Sequence, residues 1–105
     1  MNEKLLKNIN HYGVNHQQRK LQEEVFELQE AVSKYQFAEE ENLESELFYE
    51  PVKWDLYKLK EYIIEELADV MVLLNQFKLY YGISDEEVKE VMIKKIDRQM
   101  ERIGE

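Results

Sequence analysis

Two pairs of acids stand out by their spacing. Glu24 and Glu27 are three residues apart, and so are Glu66 and Asp69, with 42 positions between the pairs. At about 100° per residue, an i, i+3 pair sits on one side of a helix, one carboxylate above the other. The residues around the two pairs also match. Leu21, Val25, Leu28, Val32 and Tyr35 shift by 42 onto Ile63, Leu67, Val70, Leu74 and Phe77. Both segments thus read as amphipathic helices with an acid pair flanking an apolar stripe. Packing the stripes together brings four carboxylates to the edge of one core. Four such groups repel and lose hydration together, which is unfavourable unless a cation sits among them. An all-oxygen ligand set suits Mg²⁺ or Mn²⁺. Taken singly, each acid reads as a solvated surface residue; the matched pairs are what raise the metal reading.

A basic constellation lies near the end of the chain. Val88, Met92, Ile96, Met100 and Ile103 form an apolar stripe, and Lys95, Arg98 and Arg102 share one flank of it. Such a ridge can hold phosphate oxygens, or it can make surface ion pairs with Asp97 and Glu101. Gln17 and Lys20 fall on the face of Glu24 and Glu27, earlier in the same helix, and Ala31 continues that face with a small side chain.

The elements that position these groups are expected to be helical throughout. The chain has 105 residues, one proline and three glycines, no cysteine, and no alternation long enough for a strand. It has material for one domain, residues 1–105. A short helix is expected over residues 1–10, with Leu5, Leu6 and Ile9 on one side. A long one runs from an Asn15–Gln18 capping box to about Tyr35. Gln36 to Trp54 is acidic and aromatic, contains Pro51, and reads as a loop with one short helical piece. A third helix spans Asp55 to about Tyr81, stopped by Gly82. A fourth runs from a Ser84–Glu87 capping box to about Ile103. Gly13, Pro51 and Gly82 interrupt any continuous coiled coil.

Composition excludes much else. The net charge of −9 disfavours a nucleic-acid polymer or an anionic membrane as partner. No glycine-rich phosphate loop and no disulfide or thiolate site is present. The longest apolar run, Val70 to Leu74, is far below membrane-spanning length. No apolar signal segment follows Met1, so a cytoplasmic location is expected. The third helix is apolar almost all round, with Ala68, Met71 and Val72 on its far side, which predicts a homo-oligomer, a dimer or tetramer.

The motifs Glu24-Val-Phe-Glu27 and Glu66-Leu-Ala-Asp69 resemble the E-x-x-E and E-x-x-D pair of the all-α nucleoside triphosphate pyrophosphohydrolases, the MazG-like superfamily related to the dimeric dUTPases. The similarity runs from about Gly13 to Ile103 and includes the upstream G-V-N-H-Q-Q-R-K-L-Q-E-E and the basic K-K-I-D-R-Q-M-E-R-I. The spacer from Leu28 to Glu65 is longer than in compact members. The resemblance implies an all-α, four-helix bundle-type fold and hydrolysis between the α and β phosphates. The products would be a nucleoside monophosphate and pyrophosphate. It implies Mg²⁺ (or Mn²⁺) held by Glu24, Glu27, Glu66 and Asp69. Glu23 or Glu65 would act on the attacking water. Lys95, Arg98 and Arg102 would bind substrate phosphates, with Gln17 and Lys20 beside them. Two other functions fit the same residues: a phosphoribosyl-ATP pyrophosphohydrolase-like enzyme, and a non-catalytic helical binding or regulatory module. Phe48, Tyr49 and Trp54 are candidates either for stacking on a base or for simple packing.

Overall fold

The computed structural model describes residues 1–104, which form four α-helices and no strand. Helix α1 spans Asn2–Tyr12, α2 Val14–Leu47, α3 Leu56–Tyr80 and α4 Asp85–Arg102. Helices α2 and α3 form an antiparallel hairpin, and α1 lies across it, mainly on α3. Leu5 and Ile9 of α1 are buried there.

The helix ends follow local chemistry. Asp55 caps α3 by accepting from the Tyr57 and Lys58 amides, and Ser84 Oγ caps α4 by accepting from Glu87 N. At the end of α3, Gly82 has φ +67°; its amide bonds Leu79 O and that of Ile83 bonds Lys78 O, satisfying two terminal carbonyls. Lys78 also pairs with Asp85 across this turn. The expected Asn15–Gln18 capping box does not form. Helix α2 begins two residues earlier, with Gly13 as its cap at φ +88° and no capping side chain. Gly13 follows α1 directly, so two helices meet at a single residue whose backbone only glycine adopts without strain.

The expected loop at Gln36–Trp54 is mostly helix. Helix α2 continues three more turns to Leu47, and the connector is short. Asn42 anchors the connector to the helix. Its Nδ2 donates to Trp54 O at 2.9 Å, and its Oδ1 accepts from Trp54 N at 3.1 Å. Asn42 is buried, so Asn42→Ala is expected to destabilise the fold by about 1–3 kcal/mol in chemical denaturation. The last turn of α2 closes the same way as that of α3, with Glu50 N on Ser45 O and Tyr49 N on Glu46 O. Here Tyr49, not glycine, takes the left-handed position, at φ +58°. Its side chain is 97% exposed, so nothing offsets the strain by packing. Tyr49→Gly is expected to raise stability by about 1 kcal/mol, read as a higher denaturation midpoint.

The packed face of the hairpin differs from the expected stripe. On α2 the buried and half-buried residues include Val14, Gln17, Leu21, Glu24, Leu28, Ala31, Tyr35, Ala38, Asn42 and Ser45. On α3 they include Leu56, Leu59, Ile63, Glu66, Val70, Leu73 and Phe77. Steps of three and four alternate along both, which is the heptad spacing of a coiled-coil seam. The breaks at Gly13, Pro51 and Gly82 therefore bound two heptad segments rather than preclude them. Val25, Val32, Leu67 and Leu74, expected inside, face outward instead. Glu24 and Glu66 occupy seam positions.

Helix α4 buries none of its residues and packs substantially against no other helix. Within one chain the bundle is thus three helices with a fourth standing off. The radius of gyration is 18.7 Å, against about 13 Å for a compact chain of this length. No described helix is long and apolar enough to cross a membrane.

Candidate functional site

The acids meet where the two seams cross the middle of the hairpin. Carboxylate oxygens of Glu24, Glu66 and Asp69 lie within 4.8 Å of one another. Glu24 is only 5% exposed, Glu66 is half-buried and Asp69 is exposed. Glu27 stands beside this trio on the Glu66 side, where it lines a cavity with Glu30, Lys34 and Tyr62. On the other side, Glu24 and Asp69 line a cleft of about 550 Å³ between α1, α2 and α3. The four carboxylates therefore form a row with open space to either side.

The electrostatics are those of crowded like charges. Lys20 Nζ lies 3.2 Å from Glu24 Oε1. Burial pushes the Glu24 carboxyl up, but the Lys20 hydrogen bond and the neighbouring carboxyls of Glu27 and Glu66 outweigh it, and the net shift is downward. Lys20 is raised in turn, chiefly by its hydrogen bond to Glu24. Glu66 has no such cation. Lost hydration first, then Glu24, Glu27 and Asp69, push it up to about 7. One proton of the row thus resides on Glu66 in weakly acidic solution.

This sets a pH dependence. Glu66 titrates at about 7 in the fold, against 4.5 unperturbed. Between those values the folded state binds the extra proton, so Glu66 makes stability fall as pH rises through this window. Glu24 acts oppositely, but its contribution is lost only as pH falls below 4.5. The melting temperature of the metal-free protein is therefore expected to drop from pH 5 to pH 8, and Glu66→Gln to flatten that slope.

The residues present suit a hard cation. Glu24 Oε2 and Glu66 Oε2 are both shielded from solvent and have no hydrogen-bond partner. A buried carboxylate oxygen left without a partner is costly, and these two belong to the same cluster. Bonds of about 2.1 Å to Mg²⁺ or Mn²⁺ require ligand oxygens no more than about 4.2 Å apart, so these side chains, within 4.8 Å of one another, would draw slightly closer to hold one.

The remaining candidates divide. Lys20 and Glu23 line the cleft beside Glu24, and Glu23 is exposed there within 3.9 Å of Lys20. Glu65 is exposed and lines neither cavity flanking the row. Gln17 reaches the cleft but is buried in a cluster of amides. Its Nε2 donates to Gln76 Oε1 at 2.7 Å and Asn8 Oδ1 at 3.3 Å. Gln76 Nε2 donates to the same Asn8 oxygen at 3.0 Å. The basic ridge is not brought to the row. Arg98 and Arg102 are exposed on the detached α4, and Lys95 borders a shallow apolar depression with Ile83, Val88 and Met92.

Sequence reasoning missed Asn8, Tyr12, His16, Arg19 and Gln76, all of which line the cleft. Arg19 had a readable signal, since it precedes Glu23 by one helical turn next to Lys20. Asn8 and Gln76 had none: their partnership spans 68 positions and three helices.

Comparison of the chain with family models, curated proteins and solved structures finds no match.

Proposed function

We propose that the protein is a Mg²⁺- or Mn²⁺-dependent nucleoside triphosphate pyrophosphohydrolase that cleaves between the α and β phosphates. The observation that carries this reading is the pair of buried, partnerless oxygens, Glu24 Oε2 and Glu66 Oε2, inside a four-carboxylate row open to a cleft. Glu24, Glu27, Glu66 and Asp69 would hold the cation, which when bound neutralises phosphate charge and makes a coordinated water more acidic. Glu66 would give up its proton to hold the cation. Lys20 holds Glu24 in place and offers its ammonium to a phosphate oxygen, and Arg19 adds a second cationic group in the cleft. Glu23, exposed at the same wall, would accept a proton from the attacking water.

The enzyme is proposed to work as a homo-oligomer. The chain exposes 8832 Å², where a compact monomer of 12.8 kDa exposes about 6,300 Å². The excess, about 2,500 Å² per chain, is on the scale of an obligate dimer interface. Ile64, Leu67, Met71 and Leu74 form a second, outward row on α3, and α4 has an apolar face with nothing on it. In such an assembly Lys95, Arg98 and Arg102 can serve the carboxylate row of a second copy.

A screen of nucleoside triphosphates with Mg²⁺, with product analysis, tests the reaction. Monophosphate and pyrophosphate support it. Diphosphate and inorganic phosphate mean β–γ cleavage and overturn it. No turnover, with no stabilisation by Mg²⁺, favours a non-catalytic helical module.

A further inference from the structure

Seven residues separate Gln17 from Glu24, and seven separate Asp69 from Gln76. Because α2 and α3 run antiparallel, both steps lead toward the same end of the hairpin. At 1.5 Å per residue, the amide cluster lies about 10 Å along the cleft from the carboxylates. The two ends differ in chemistry. One is anionic, with Lys20 paired to Glu24, and Arg19 lines the stretch between the two ends. The other is uncharged and flat-sided: Tyr12 and His16 stack there, with ring centroids 5.1 Å apart and planes 19° from parallel. The single-residue joint at Gly13 sets these two rings face to face across the α1–α2 turn.

The amides are held in a fixed sense. Gln17 and Gln76 are 4% and 2% exposed, and both donate to Asn8 Oδ1. His16 Nδ1 lies 2.8 Å from Gln17 Oε1, an acceptor, so that ring nitrogen donates and the neutral ring presents Nε2 as an acceptor. Asn8 is itself exposed, and with its oxygen taken twice, its Nδ2 is the donor left for the cleft. A donor on an anchored amide, an acceptor on a neighbouring ring and a stacked aromatic pair recognise a planar, uncharged heteroaromatic group. None of them is a lysine or arginine, the side chains that best match a phosphate.

We propose that this end of the cleft is a nucleobase subsite, in which Asn8 Nδ2 donates to an acceptor on the base edge and the Tyr12–His16 pair supplies the stacking wall. The proposal deepens the pyrophosphohydrolase reading and rests on it for the direction in which a nucleotide lies: phosphates on the carboxylate row, base on the amides. The sugar spans the interval between them.

The test separates the two ends. Free uridine and guanosine, without phosphates and without metal, are titrated into the full chain by NMR, following the side-chain amide signals. Inorganic tripolyphosphate with Mg²⁺ is titrated separately. Asn8→Asp keeps the oxygen that Gln17 and Gln76 need and removes the NH₂ donor; Tyr12→Leu removes a stacking ring and keeps apolar bulk. Each is expected to weaken nucleoside binding roughly fivefold or more, the worth of one hydrogen bond or stack, and to leave tripolyphosphate binding unchanged. Nucleoside binding unaltered by both variants overturns the subsite, as does no nucleoside binding by a chain that still takes tripolyphosphate. Nucleoside binding without any metal–tripolyphosphate binding leaves the subsite standing and removes the pyrophosphohydrolase reading instead.

Discussion

Glu66→Gln is expected to abolish nucleotide hydrolysis while making the metal-free protein more stable at pH 8. Glu66 sits in the seam with its charged form opposed by Glu24, Glu27 and Asp69, and one of its oxygens is shielded and unsatisfied. An amide of nearly the same shape relieves the repulsion and removes a ligand. Three readouts then move together. Turnover falls to background, the pH slope of stability flattens, and stabilisation by Mg²⁺ disappears. A native state that binds cation gains about 2.7 kcal/mol at a hundredfold excess over Kd, so the loss of that increment is easily seen in a melt. Asp69→Asn is expected to behave alike for turnover and Mg²⁺, with less gain in stability because Asp69 is exposed. A variant that loses its fold along with activity assigns Glu66 a structural role. Full retained activity refutes the site.

Sedimentation at micromolar concentration is expected to give a multiple of 12.8 kDa, and Leu67→Asp combined with Met71→Asp is expected to return it to one chain with a sharply lower melting temperature. Both side chains are about half exposed in the single chain, at 43% and 57%. In an isolated monomer, two such surface changes alter stability little. In an assembly they bury two charges in an apolar contact, which several kcal/mol of desolvation opposes. A stable wild-type monomer overturns the oligomer. A double variant that keeps its mass and stability moves the contact to another face, α4 being the other apolar surface left open.

Much of the fold could be read from local chemistry. Asp55, Gly82 and the Ser84–Glu87 pair act within one or two turns, and they set the helix ends where expected. The acid pairs were legible for a similar reason, because i, i+3 spacing is a property of one helix. What failed depended on the neighbour. An apolar stripe through Leu21, Val25, Leu28 and Val32 is the natural choice for a buried face, yet the packed face takes Glu24 and Ala31 in place of Val25 and Val32. Residues 36–47 looked like loop because their seam residues, Ala38, Asn42 and Ser45, are small or polar and leave no hydrophobic period to detect. The basic ridge was correctly placed on one helix, but which surface that helix meets is not written in its own spacing.

The polar residues of the seam have one more effect, on how the hairpin is aligned. Small and apolar layers alone would let α3 slide along α2 by a full heptad with little change in what touches what. With Gln17 bonded to Gln76, and both to Asn8 of α1, such a slip is penalised. Moving α3 by seven residues takes Gln76 away from Gln17 and Asn8 and breaks the 2.7 Å amide contact. Gln17 and Gln76 are buried, so each amide left short of a partner carries a penalty of about 1–3 kcal/mol. The buried amides thus work as a vernier: they add little to the hairpin in its correct setting, and weaken every neighbouring setting.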